Sequence, residues 1–154
     1  MSALFQNYAR RPIAIESGKG TIVYDTKGKR YLDFTSGIAV CSLGHANPKL
    51  VEAIKHQSEK LWHISNLFES PMQEKLAQSL VANTHLSHAF FCNSGAEANE
   101  AAIKLARKHT GKHHIIVFEQ SFHGRTFGAM SAAGQDKVRY GIGPLVSQFT
   151  TLPF

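Results

Sequence analysis

The sequence predicts an α/β fold with a parallel sheet, and three observations carry that expectation. Residues 89–92 and Ile115–Phe118 are short apolar runs of the kind found in strands covered on both faces. Between them residues 96–110 are rich in Ala, which favours a helix carrying the chain from one strand to the next. Each apolar run ends in a polar turn, Asn93-Ser94-Gly95 after the first and Glu119-Gln120-Ser121 after the second. Strand, helix and strand in that order form the unit from which parallel sheets are built.

The remaining elements follow in chain order. Gly18-Lys19-Gly20-Thr21 has a passing likeness to a P-loop, but Ile13 stands where the first Gly is required and Gly20 where the hydroxyl residue belongs, so it reads as a turn entering a strand. Residues 21–24 and 30–34 then bracket Asp25-Thr26-Lys27-Gly28 as a hairpin. Pro48 suits the first turn of a helix running to about residue 60. Pro71 suits the first turn of a second helix, to about residue 83, in which Met72, Leu76, Leu80 and Val81 recur at near-helical spacing. A short helix is expected after Arg125. Thr151-Leu152-Pro153-Phe154 reads as the middle of a loop, without the polar fray of a terminus, so the chain is expected to be a piece of a longer protein.

Composition narrows the class. The 154 residues, 43% hydrophobic and 18% charged, suffice for a globular unit with a core. No apolar run has the length of a membrane span and residues 1–12 lack the hydrophobic centre of a signal peptide, so a cytoplasmic protein with no membrane partner is expected. The formal charge is +6, but Lys and Arg are dispersed with no dense block interleaved with aromatics. That pattern argues against nucleic acid and suits anionic small molecules. Cys41 and Cys92 have neither metal nor redox spacing and are expected to be buried, reduced thiols. His113-His114 has no i, i+4 or carboxylate companion, so no metal site is expected.

The chemistry concentrates in two segments. A strand that enters a helix through Asn93-Ser94-Gly95 leaves the first helical amides unpaired at the positive end of the helix dipole, and Gly95 removes the side chain that would keep an anion away. Ser94 and Glu97 also have the spacing of a capping box, so a plain cap and a phosphate cradle both stand, competing for the same amides. The loop after Phe118 would face the same crevice, because ligands of open parallel sheets sit beyond the carboxyl ends of the strands. There Phe122 could stack on a flat ring and Arg125 could fork onto a carboxylate. The plainer alternatives are a core aromatic and a solvated charge.

These segments, in this order, resemble the amino-terminal part of the class III (ornithine-type) aminotransferases, pyridoxal-phosphate enzymes of fold type I. The resemblance also runs through Gly18-Lys19-Gly20, Tyr24-Asp25, Tyr31-Leu32-Asp33-Phe34, Ser36-Gly37-Ile38-Ala39-Val40, Leu43-Gly44-His45 and Ser65-Asn66-Leu67-Phe68, and covers nearly the whole chain. It implies a partial fold type I transferase, with residues 1–60 the start of the small domain and residues 61–154 the start of the large cofactor-binding domain. It implies that Gly95 and Ala96 bind the phosphate of pyridoxal 5'-phosphate with Ser94 as helper, that Phe122 covers the pyridine ring, and that Arg125 binds a substrate carboxylate. His123 and Gly124 would shape the turn, and Ser65 and Asn66 would line the mouth.

Within the family the wording is most similar to the branch acting on N2-acetylornithine, above all at residues 35–40 and 63–68. Ile38 stands where the ornithine branch carries an aromatic, and an apolar residue suits an acylated substrate. The implied reaction moves the δ-amino group of N2-acetylornithine to 2-oxoglutarate, in arginine biosynthesis, in a homodimer when complete. Alternatives are another ω-amino substrate such as succinylornithine or ornithine, and a non-catalytic phosphate-binding or dimerisation module.

No catalytic residue is assigned within the chain. The family's chemistry needs a lysine that forms a Schiff base with the cofactor and a carboxylate on the pyridinium nitrogen, both expected beyond Phe154. Lys104, Lys108 and Lys112 decorate a helix or its exit, and Lys27 and Lys29 flank the hairpin. Alone, the chain is expected not to transaminate and to expose sheet edges and apolar faces.

Overall fold

A computed structural model describes residues 2–154, which divide into two compact units between Glu69 and Ser70. The sequence reading had placed its boundary near residue 60.

The first unit opens with an antiparallel meander, β1 (Ile15–Lys19), β2 (Ile22–Asp25) and β3 (Arg30–Leu32), in the order β1-β2-β3. Gly18 and Lys19, expected in a turn, lie in β1 opposite Val23 and Ile22, and the turn is confined to Gly20 (φ 57°) and Thr21. The hairpin forms where expected. Asp25 Oδ1 accepts the amides of Lys27 and Lys29, both at 2.9 Å, and Oδ2 accepts the Tyr31 hydroxyl at 2.8 Å.

After β3 comes α1 (Ser36–Ala39), one turn wound left-handed, with φ of 41°, 65°, 61° and 63°. Only Gly adopts this region at no steric cost, so the three L-residues, Ile38 above all, are strained. Local bonds hold them. Asp33 Oδ1 accepts the Thr35 amide (3.0 Å), the Thr35 hydroxyl (2.7 Å) and the Ser36 amide (2.9 Å), while Oδ2 lies 2.7 Å from His45 Nε2. His45 is itself fixed by backbone bonds in both directions with Gly20, at 2.9 and 2.8 Å. Then α2 (Pro48–Ser58) begins at Asn47, whose side chain caps the Lys49 and Leu50 amides.

The second unit contains α3 (Pro71–Val81), capped by Ser70, then α4 (Gly95–Thr110), β4 (Ile115–Phe118), α5 (Phe127–Ser131), α6 (Asp136–Arg139) and β5 (Phe149–Leu152). β4 and β5 pair in parallel, Ile115 opposite Phe149 through Phe118 opposite Leu152. Two expectations need correction. Residues 149–152 form a strand, where a loop had been read at the end of the chain. Residues 89–92 form none: Phe90 is 71% exposed, and among the described residues no strand pairs with them. An apolar run becomes a strand only beside a partner that satisfies its backbone. Cys92 is accordingly exposed and not buried; both cysteines are free thiols.

Burial in this unit gathers on α5, where Ala129 to Ala133 are all buried and α5 packs against α4. Small side chains allow that close approach. At the other end of α4, Arg107 donates to the carbonyls of His113 (2.9 Å) and Ser147 (3.1 Å) and lies over the Phe149 ring, tying the helix to the β4–β5 pair. Gly111, in the left-handed region at φ 68°, ends the helix. Among the described residues no helix is long and apolar enough to cross a membrane.

Candidate functional site

The head of α4 is capped, and the cap uses only part of it. Ser94 is extended (φ −158°, ψ 160°) and its Oγ accepts the Glu97 amide at 3.2 Å. Glu97 reaches back to the Asn93 amide at 2.5 Å, one residue earlier than an ordinary capping box. The amides of Gly95 and Ala96 take no partner among the described residues. The cap therefore leaves two amides open at the helix head. Gly95 is exposed, and a Cβ built on it would have nothing within 4 Å, so the approach to these amides is open. The sixteen residues of α4 align their dipole on the same point.

The second half of the site arrives from β4. Past Phe118 the chain is pinned by Gln120 N to Gly134 O (3.1 Å) and by Gly134 N to the carbonyl and hydroxyl of Ser121, both at 3.1 Å. It then turns back onto α4, where Asn99 Nδ2 donates to the His123 carbonyl at 2.7 Å. Gly124 is buried at φ 128°, and a Cβ there would lie 2.6 Å from Ala96 Cβ and 2.9 Å from Ala96 Cα. Only Gly brings the loop this close. Phe122 is 48% exposed, and the Arg125 guanidinium sits 5.1 Å from the centre of its ring.

The structure thus brings Ser94, Gly95, Ala96, Phe122 and Arg125 around one open hollow of about 570 Å³. That size lies within the range of small-molecule sites, roughly 300–1,000 Å³. Two free amides at a positive helix end, an exposed aromatic face and a guanidinium suit a flat aromatic ligand carrying a phosphate, so the residues present fit pyridoxal phosphate. No lysine lines the hollow among the described residues. Ser65 and Asn66 belong to the unit ending at Glu69.

Sequence reasoning missed Asn99, Glu100 and Thr126. Asn99 and Thr126 line the hollow, and Glu100 Oε1 accepts the Thr126 hydroxyl at 2.5 Å and the Ala129 amide at 3.1 Å. A signal was available: Asn99 and Glu100 stand three and four residues after Ala96, on the same helix face. The Thr126 hydroxyl, opposed by partial burial and aided by the amides of Ala129 and Gly128, holds the Glu100 carboxyl below its usual range.

The pattern of the family described as aminotransferase class-III matches residues 5–154. The chain belongs to that family. It is 58% identical over 154 residues to the acetylornithine aminotransferase of Halalkalibacterium halodurans and 56% identical over the same length to that of Bacillus subtilis, covering all of this chain and 40% of each relative. The chain thus spans about 40% of the length of these relatives. Among solved structures, the ornithine aminotransferase of Toxoplasma gondii superposes with a TM-score of 0.93 at 28% identity, covering 99% of this chain and 38% of that one. The taurine:2-oxoglutarate aminotransferase of Bifidobacterium kashiwanohense, solved with pyridoxal phosphate and glutamate, gives 0.91 at 31% identity, covering 98% and 35%. The fold is part of the fold type I α/β architecture of these enzymes.

Proposed function

We propose that this chain is the amino-terminal part of a pyridoxal-phosphate-dependent aminotransferase that moves the δ-amino group of N2-acetylornithine to 2-oxoglutarate. The observation that carries the reading is the convergence of the open α4 head with Phe122 and Arg125, in a chain 58% identical to an acetylornithine aminotransferase. Bound pyridoxal phosphate would supply the electron sink for amino transfer. The amides of Gly95 and Ala96 hold its phosphate, with the Ser94 hydroxyl beside them. Phe122 covers its ring and excludes water from that face, and Arg125 orients the substrate through a carboxylate. His123 and Gly124 shape the turn.

In this reading residues 1–60 begin the small domain and those from about 61 the large one. The complete enzyme is a cytoplasmic homodimer of arginine biosynthesis, and its Schiff-base lysine lies beyond Phe154. The test is to express the complete protein and compare N2-acetylornithine, succinylornithine and ornithine as donors to 2-oxoglutarate. N2-acetylornithine is expected to give the highest kcat/KM. Preference for another donor would overturn the branch assignment, and a protein that takes up no pyridoxal phosphate would favour a non-catalytic module.

A further inference from the structure

We propose that Glu100, seconded by Asn99, is a positioning residue of the candidate site, fixing the loop that carries Phe122 and Arg125 against the head of α4. The inference rests on the cofactor reading above and extends it to Glu100, which lies outside the lining of the hollow, and to Asn99 on its wall.

The geometry is that of a borrowed cap. Thr126 stands at the N-cap of α5, and its own side chain makes no capping bond to the helix. An acceptor for the helix comes instead from α4: Glu100 Oε1 takes the Ala129 amide at 3.1 Å and the Thr126 hydroxyl at 2.5 Å, bridging 29 and 26 residues of chain. Gly128 closes over the same carboxylate, and a Cβ on it would collide with the Glu100 oxygens. A carboxylate at the start of a helix is also favoured by the helix dipole. One residue earlier on α4, Asn99 holds the His123 carbonyl at 2.7 Å, and Gly124 lies against Ala96.

These ties bracket the functional segment. Phe122 precedes the residue held by Asn99, and Arg125 precedes the residue held by Glu100. The loop therefore has two fixed points, both on α4, with Gly124 and Arg125 between them. The helix whose head offers the free amides also sets where the aromatic face and the guanidinium stand. A misplacement of about 1 Å in such an arrangement can cost a factor of about a hundred in rate. The ionised state of Glu100 suits this role, because a protonated carboxyl would offer the hydroxyl and the amide a weaker acceptor.

The experiment uses the complete protein. Glu100→Gln and Thr126→Val are each compared with the parent for pyridoxal-phosphate dissociation from the apoprotein and for donor KM and kcat. Both are expected to raise the cofactor Kd and the donor KM by about tenfold, the size of one charge-assisted hydrogen bond. Thr126→Ser, which restores the hydroxyl, is expected to return both values to the parent's. Arg107→Ala loosens the far end of the same helix and is expected to lower the melting temperature while leaving the cofactor Kd unchanged. Parent-like Kd and KM in Glu100→Gln and Thr126→Val would overturn the inference and leave the cofactor reading standing. An equal rise in Kd for Arg107→Ala would also overturn it, because the effect would then be general loosening. A parent that takes up no pyridoxal phosphate overturns both.

Discussion

In the unit ending at Glu69 a carboxylate serves its own loop, whereas in the unit beginning at Ser70 a carboxylate serves a loop far along the chain. Asp33 bonds residues two and three positions ahead and reaches only as far as His45. Glu100 bonds residues 26 and 29 positions ahead. Both carboxyls sit below their usual range, Asp33 at about 2, chiefly through His45 and then Thr35, and Glu100 chiefly through Thr126. The consequences differ. The local acceptor stabilises a conformation the backbone would otherwise refuse, the left-handed α1 that leaves Ile38 92% exposed. The remote acceptor joins two elements that are each unstrained and aligns them. Strain can thus be held by neighbours in sequence, while alignment of a site needs partners from elsewhere in the fold.

The comparison breaks most visibly at Gly124. In the complete protein Gly124→Val is expected to destabilise the fold by about 3 kcal/mol, from a disfavoured φ and a collision with Ala96, as read from denaturant unfolding. Parent-like stability would mean that the loop and α4 are not interlocked. A smaller effect, confined to the ligand, is expected for Arg125→Ala: donor KM raised about thirtyfold, as for a lost charged hydrogen-bond pair, with pyridoxal phosphate retained. Unchanged kinetics would remove Arg125 from the site.

The smallest effect sharpens the Asp33 side. Its carboxyl falls from the ordinary 3.8 to about 2 in the fold, so its contribution to stability is complete above about pH 4 and is lost as pH falls toward 2. The melting temperature of the parent should therefore drop more steeply across that interval than that of Asp33→Asn. Parallel curves would show that the bonds to Asp33 do not distinguish the folded from the unfolded chain.

What could be read in the sequence divides along the same line. Helices α2, α3 and α4 announced themselves through local signals, Pro48 after Asn47, Pro71 after Ser70, and Ser94 three residues before Glu97, whereas α6 was not read. The hairpin and β4 were also legible, and Gly95, Ala96, Phe122 and Arg125 could be named as candidates for one crevice. Illegible were features that depend on a partner distant in the chain. β5 exists because β4 runs beside it, and residues 89–92 fail as a strand because nothing in the described chain does the same for them. Glu100 looked like an ordinary helix residue until its acceptor role for Thr126 and Ala129 appeared. The left-handed α1 was hidden for a different reason, since Ser36, Ile38 and Ala39 have no preference for positive φ, and they are held there by the Asp33 bonds to Thr35 and Ser36 together with backbone bonds from Ala39 to Thr35 and from Cys41 to Ser36.

The empty space beside Gly95 separates two kinds of selection that usually act together. A methyl group at that position would touch nothing in the chain, and the backbone there is not in the left-handed region, so folding places no demand on glycine at 95. A variant library of the complete protein scored for soluble expression would accept Ala there freely. The same library scored for turnover would reject it, and the gap between the two scores at this one codon would measure how closely the ligand rests on the helix.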